Sequence, residues 1–431
     1  MNLQRHAVGK SNIIFQSLSK IFVAPKIDLS FSDLPFAYRL VGKTAVILGM
    51  MLLIYDAYYL FTPGLPLPIA DKDFANYWMS AHLAATGDVR TVFGSQAIYL
   101  DHLRAVFGQK MPWHNWSYPP HYLLLMMPLA LVPYKIGLVV FIFLTGYFFC
   151  KAYNLFCESK SMLPIAIVAP FILLNTWEVQ NGFLTGGLAL LVLRLRENRP
   201  IVAGICLGLL TIKPQLGFLF PILLLVERRW LVLSSAALTT CFLIALSALI
   251  FGIEAWKAYL SIVIPFQGLV MTELGGKFLT MLPSTYGAAR LYGASADSAL
   301  LIHSLIAIPV AILTVVAVFA TRSARARDYL VLTATFLITP YSLNYDLGML
   351  AAGVASFIAD GGDNQRKLDR VLLALVMLLP VSMMIVGRLG IAVGPPLLLI
   401  TFAAMIHRAD IWDRVGGWLG SFRRHPGRVA I

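Results

Sequence analysis

Four groups of residues in this chain carry side chains able to do chemistry, and each borders an apolar run. The first is Asp71-Lys-Asp73-Phe-Ala-Asn-Tyr77-Trp78. A carboxylate at the edge of hydrocarbon can serve as a general base whose proton affinity its surroundings adjust. The same spacing suits solvated loop charges, or the N-cap of an interfacial helix over 74–86. Asp71 and Asp73 also spell D-x-D, which elsewhere holds a metal on a sugar nucleotide. That use needs a soluble nucleotide-binding domain, and the sequence has none. The second group is Trp113-His114-Asn-Trp116-Ser-Tyr118-Pro119-Pro120-His121. Aromatic residues at this density ordinarily mark a membrane interface, and their faces also pack against sugar rings.

The third group, Lys213-Pro214-Gln215, divides an apolar stretch. Proline pushes the residue before it out of helical conformation, so the chain reverses there. Each arm holds about 14 residues, or ~21 Å at 1.5 Å per residue, against a hydrocarbon core of ~30 Å. The turn must then lie below the outer surface. An ammonium there needs a wet cavity or an anion, unless it only caps carbonyls of the turn. Glu178-Val-Gln180-Asn181 makes a similar turn between short arms, and the two together predict a depression open to the outside. The fourth group is Pro340-Tyr341-Ser-Leu-Asn344-Tyr345-Asp346. Asp346 can neutralise or orient a basic residue, bind a substrate hydroxyl, or cap a helix. Lys213, Lys277 and Arg290 are the cations available to an anionic headgroup.

The elements that position these groups follow from composition. Of the 431 residues 59% are hydrophobic and only 13% charged, about half the charged share of a soluble domain. That excludes a disordered chain, a disulfide scaffold and a nucleic-acid module, and predicts an all-α polytopic membrane protein. The net charge of +13 is what cytoplasmic loops collect by the positive-inside rule. Cys150, Cys157, Cys206 and Cys241 form no CxxC pair and read as buried apolar filler. The glycine pairs Gly182/Gly186 and Gly204/Gly208 read as helix-packing positions.

Charge placement also arbitrates topology. Counting 121–133 as a span puts Arg194/Arg196/Arg199, Arg228/Arg229 and Arg322/Arg325/Arg327 all outside, which the positive-inside rule rejects. The expectation is about twelve transmembrane helices within 43–406, with 119–133 re-entrant or interfacial. Segment 1–42 is cytoplasmic, with Ile14, Phe15, Leu18, Ile21 and Phe22 on one face of an interfacial helix. A basic tail over 407–431 is cytoplasmic too. Two long outer loops, 62–135 and 253–298, remain, and all four groups lie on that side. Membrane lipids are the surroundings, and no nucleic acid is expected.

In order along the chain stand Asp73-Phe-x-x-Tyr77-Trp78, Tyr118-Pro-Pro, Pro128-Leu-Ala-Leu-x-Pro133, Gln180-Asn-Gly182, Lys213-Pro-Gln-Leu-Gly217, Arg229-Trp230, Phe251-Gly-x-Glu-Ala-Trp256 and Pro340-Tyr-x-x-x-Tyr345-Asp346-Leu. This series resembles glycosyltransferase family 87, a branch of the GT-C superfamily of membrane glycosyltransferases, over residues 43 to 360. One departure is Val179, where the family pattern has Gly before the Gln.

The resemblance implies a GT-C-like fold and inverting transfer of a hexose, mannose-like, from a polyprenyl-phosphate carrier. The acceptor is an extracytoplasmic glycan or glycolipid. It places the catalytic Asp on Asp73, with Asp71 and Asp56 as fallbacks. Lys213, with Arg290 or His114, is the group expected to hold the donor phosphate. Tyr77, Trp78, Trp116, Tyr118, Gln180, Gln215, Tyr345 and Asp346 are the motif residues expected to bind substrate. No metal or other cofactor is expected, because a monophosphate leaving group needs less charge compensation than a nucleotide diphosphate. The alternative is a multi-pass transporter or lipid flippase, which usually carries related repeats and ionisable groups near mid-membrane. Here no repeat shows and the ionisable groups cluster at the outer ends of the helices.

Overall fold

The structure, a computed structural model, describes residues 36–62, 73–109, 111–157, 165–360 and 367–408. The expected interfacial helix near the N-terminus, Asp71 and the basic tail beyond Arg408 lie outside the described residues. Regular structure among the described residues is entirely helical. Among the described residues three helices are long and apolar enough to cross a membrane: Tyr134–Phe156, Trp230–Phe251 and Ala296–Ala320.

Trp230–Phe251 is apolar all round and only 11% of its best apolar window is buried. In lipid a helix need not hide its leucines, so a narrow strip is enough to hold it. The strip meets Pro200–Leu210, where a Cβ on Gly204 would fall 2.5 Å from Ser235 Cβ and one on Gly208 2.6 Å from Thr239 Cβ. These two glycines are packing positions, as their spacing predicts. Cys157 and Cys206 are buried, but Cys241 is exposed, which corrects its reading as filler. It sits on Trp230–Phe251, outside that strip.

Several runs expected as spans appear as shorter helices: Ala169–Glu178, Gly182–Leu195, Pro200–Leu210, Ala324–Ile338 and Gly348–Asp360. The run 215–226 breaks into Pro214–Gly217 and Phe220–Val226, with a second proline, Pro221, opening the latter piece. These helices come in consecutive pairs joined by turns at 179–181, 211–213 and 339–347.

The stretch expected as the first long loop is largely helical, with Phe74–Ala85, Val89–Phe93, Gln96–Phe107 and Pro120–Met126 in sequence. Phe74, Tyr77, Phe93, Tyr99, Trp116 and Tyr122 pack into one apolar cluster there, and the cluster takes in Val179 and Ile212. Those two residues belong to the first two turns, so the layer is seated directly on them. The second stretch is also built of helices, from Ile253–Ala258 to Thr285–Leu291.

Candidate active site

The three turns meet. Asn175, one turn before Val179, donates from Nδ2 to the Tyr345 carbonyl at 2.9 Å. A Cβ on Gly182 would collide with that same carbonyl, so only glycine lets the first turn approach the third so closely. Thr339 Oγ1 donates to the Gln215 carbonyl at 3.2 Å, joining the third turn to the second. Lys213 Nζ donates to Asp346 Oδ1 at 2.9 Å, with both residues almost wholly buried. The other carboxylate oxygen of Asp346 accepts the Leu343 backbone N–H. Asp346 thus neutralises a basic residue and holds its own turn together at once.

Between these turns lies a cavity of about 380 Å³, lined by Tyr118, Lys213, Gln215, Tyr341, Tyr345 and Asp346 among others. Lys213 Nζ stands 4.7 Å from the centre of the Tyr345 ring, a cation–π distance. Two polar atoms on the lining residues are buried without a protein partner, Ser342 Oγ and Gln267 Nε2. Orphaned polar atoms in a cavity wall suit a polar ligand.

Behind Tyr118 stand Tyr77 and Gln180. The Tyr77 hydroxyl donates to Gln180 Oε1 at 2.8 Å. Its single proton is therefore committed, and in the 3.1 Å contact between the Tyr77 and Tyr118 hydroxyls Tyr118 is the donor. Tyr118, a lining residue, is left with acceptor lone pairs. Burial pushes the Tyr118 phenol well above its ordinary value, with Tyr122 adding to the effect.

Asp73 occupies the N-cap position of Phe74–Ala85, but its side chain makes no capping hydrogen bond. Its Oδ1 lies 3.5 Å from His114 Nε2. The negative charge of Asp73 also bears on the phenols of Tyr118, Tyr341 and Tyr345, which burial already raises. All three line the cavity, whereas Asp73 and His114 are not among its lining residues, so Asp73 reaches this wall through its charge.

Other expected site residues are engaged elsewhere. The Arg290 guanidinium donates to the carbonyls of Thr272 and Ala294, and Arg290 does not line the cavity. Trp78 donates from Nε1 to the Val132 carbonyl and stacks on His82. Trp116 is wholly buried, stacked on Tyr122, with no face left for a sugar ring.

The sequence model of glycosyltransferase family 87 matches residues 116–340, just over half of the chain. The chain belongs to glycosyltransferase family 87. No curated protein and no solved structure matches it. Membership of a glycosyltransferase family sets the transporter alternative aside. The family 87 match takes in Tyr118, Gln180 and Lys213, while Asp73, His114 and Asp346 flank it on either side.

Residues that sequence reasoning passed over in this family 87 chain include Tyr341, Ser342 and Gln267 in the cavity wall. Tyr341 stands inside a quoted motif, so a signal for it existed; Gln267 had none. His121 is another. Its ring stacks on Trp256 and its Nε2 lies 3.2 Å from Thr211 Oγ1, two residues before Lys213. Burial pushes this imidazole down to about 4, so it is a neutral brace for the turn at neutral pH.

Proposed function

We propose that this glycosyltransferase moves a hexose, mannose-like, from a polyprenyl-phosphate carrier to a glycan or glycolipid acceptor, with inversion. In the topology expected from charge placement, about twelve spans set the cavity toward the periplasmic side of the inner membrane. The observation that supports the reading is Lys213: a buried ammonium in a cavity wall, already balanced by one carboxylate. At rest the Lys213–Asp346 pair is neutral, so an incoming phosphodiester brings one uncompensated negative charge. As the bond to the anomeric carbon breaks, the leaving phosphate approaches two charges. Lys213 has three N–H donors and Asp346 accepts one. The others can meet phosphate oxygens, and a well-aimed donor to developing charge contributes about 3 kcal/mol.

Asp73 is the base in this reading. It takes the acceptor hydroxyl's proton while that oxygen attacks the anomeric carbon opposite the leaving phosphate. The deciding experiment offers purified protein a panel of radiolabelled polyprenyl-phosphate sugars beside nucleotide sugars. Transfer from a polyprenyl-phosphate sugar, abolished by Asp73→Asn at unchanged protein level, is expected. Transfer from nucleotide sugars alone would reject the donor class, and full activity of the Asp73→Asn variant would reject the base.

A further inference from the structure

The imidazole behind Asp73 has only one ring nitrogen available to it. His114 Nδ1 lies 3.0 Å from the carbonyl oxygen of Pro112. A carbonyl only accepts, so Nδ1 carries the hydrogen, and in the neutral ring Nε2 is left with a bare lone pair. That lone pair belongs to the nitrogen 3.5 Å from Asp73 Oδ1. The separation exceeds the ~2.8 Å of a charge-assisted hydrogen bond, as suits two acceptors with no proton between them. The segment that carries the ring is anchored on both sides: Trp113 stacks on Phe266, and the Trp116 backbone N–H donates to Gln96 Oε1.

Exposure gives the order of the pair. The Asp73 side chain is 32% exposed and that of His114 10%, so the carboxylate is the more open to an arriving hydroxyl and the imidazole stands behind it. We infer that His114 is the second station of the proton, a positioning residue that acts on the reaction through Asp73. This rests on the reading of Asp73 as base. The acceptor oxygen forms its bond to the anomeric carbon and gives its proton to Asp73. The bond from the anomeric carbon to the phosphate oxygen breaks, and its electron pair leaves with the phosphate. The proton then passes from Asp73 to His114 Nε2, leaving an imidazolium beside a regenerated carboxylate, and solvent removes it afterwards.

Among the described residues Asp73 also acts on the phenols of Tyr77, Tyr99, Tyr118, Tyr341 and Tyr345. All are pushed upward by burial and stay neutral through neutral pH. Beyond Tyr345 stands the Lys213–Asp346 pair.

The test is the dependence of kcat on pH at saturating donor, for the wild type and for His114→Gln, which keeps a donor for Pro112 but cannot take up the proton. The base form of the pair must be proton-free, so activity is expected to fall as pH drops. In His114→Gln kcat should fall about tenfold to a hundredfold, the donor KM should stay within about twofold, and the limb should move at least about one unit toward acid. A variant limb coincident with the wild type overturns the relay. If that variant does not fold, His114→Asn, whose side-chain amide can also donate to the Pro112 carbonyl but cannot take up the proton, carries the same comparison. Absence of any turnover by the wild type rejects the donor reading and the relay with it, whereas turnover with an unshifted limb rejects the relay alone.

Discussion

Lys213 and Asp346, 133 residues apart in sequence, form a buried ion pair at 2.9 Å in the wall of the cavity. Because both charges are buried, removing one partner strands the other at a cost of about 3–5 kcal/mol. Lys213→Ala is therefore expected to lose both stability and turnover. In the double variant Lys213→Ala/Asp346→Asn no carboxylate is stranded, so most of the thermal stability in detergent should return. Turnover should stay at least about a hundredfold down, since the group facing the leaving phosphate is gone. A double variant with near wild-type turnover would make Lys213 purely structural.

Gly182 is expected to be as sensitive as a catalytic side chain although it has none. Its Cβ would collide with the Tyr345 carbonyl and lie 2.5 Å from Asn175 Oδ1. The third turn would have to move, and Asp346 with it. Gly182→Ala should lower turnover at least about tenfold while the protein still inserts and purifies. Gly275→Ala, where nothing lies within 4 Å, is the control and should change neither.

Val179 sits in the left-handed region at φ 50°, ψ 54°, which explains why the family pattern has glycine there. A β-branched residue in that region costs about 1–2 kcal/mol, yet this side chain is also buried against the outer layer. Val179→Gly relieves the strain and loses the packing; Val179→Ala loses packing and keeps most of the strain. The glycine variant should therefore melt no lower than the alanine variant, the reverse of the usual order. A clear advantage for alanine would show that packing alone decides this position.

Arg196 holds the other end of Gly182–Leu195, about 21 Å from the cavity along that helix. Its guanidinium bridges Glu227 at 2.7 Å and Asp328 at 2.9 Å, all three side chains being under a tenth exposed. Arg196→Met strands Asp328, while Glu227 keeps Arg327 at 3.5 Å and Arg229 at 3.8 Å, and should destabilise the protein by about 3–5 kcal/mol. Turnover per folded molecule should be unchanged, because no cavity residue is disturbed. A thermal melt alongside a turnover assay separates the two effects.

Composition alone determined that this chain is helical and lives in a membrane, because so few charged residues cannot cover a soluble surface. Local chemistry determined the turns: Pro214 holds Lys213 out of helical conformation, and the short arms around Lys213 and Gln180 follow from counting residues. Which side chains face one another was not local. Asp346 was equally free to cap a helix or to pair with a cation, and only the packing of the third turn against the second made it do both. Arg290 looked as available as Lys213 until its fork closed on the carbonyls of Thr272 and Ala294. Trp116 looked open to a sugar until the outer layer buried it. Backbone preference acts over a few residues, whereas a buried charge finds its partner through contacts between segments more than a hundred residues apart, and only the folded chain brings those together.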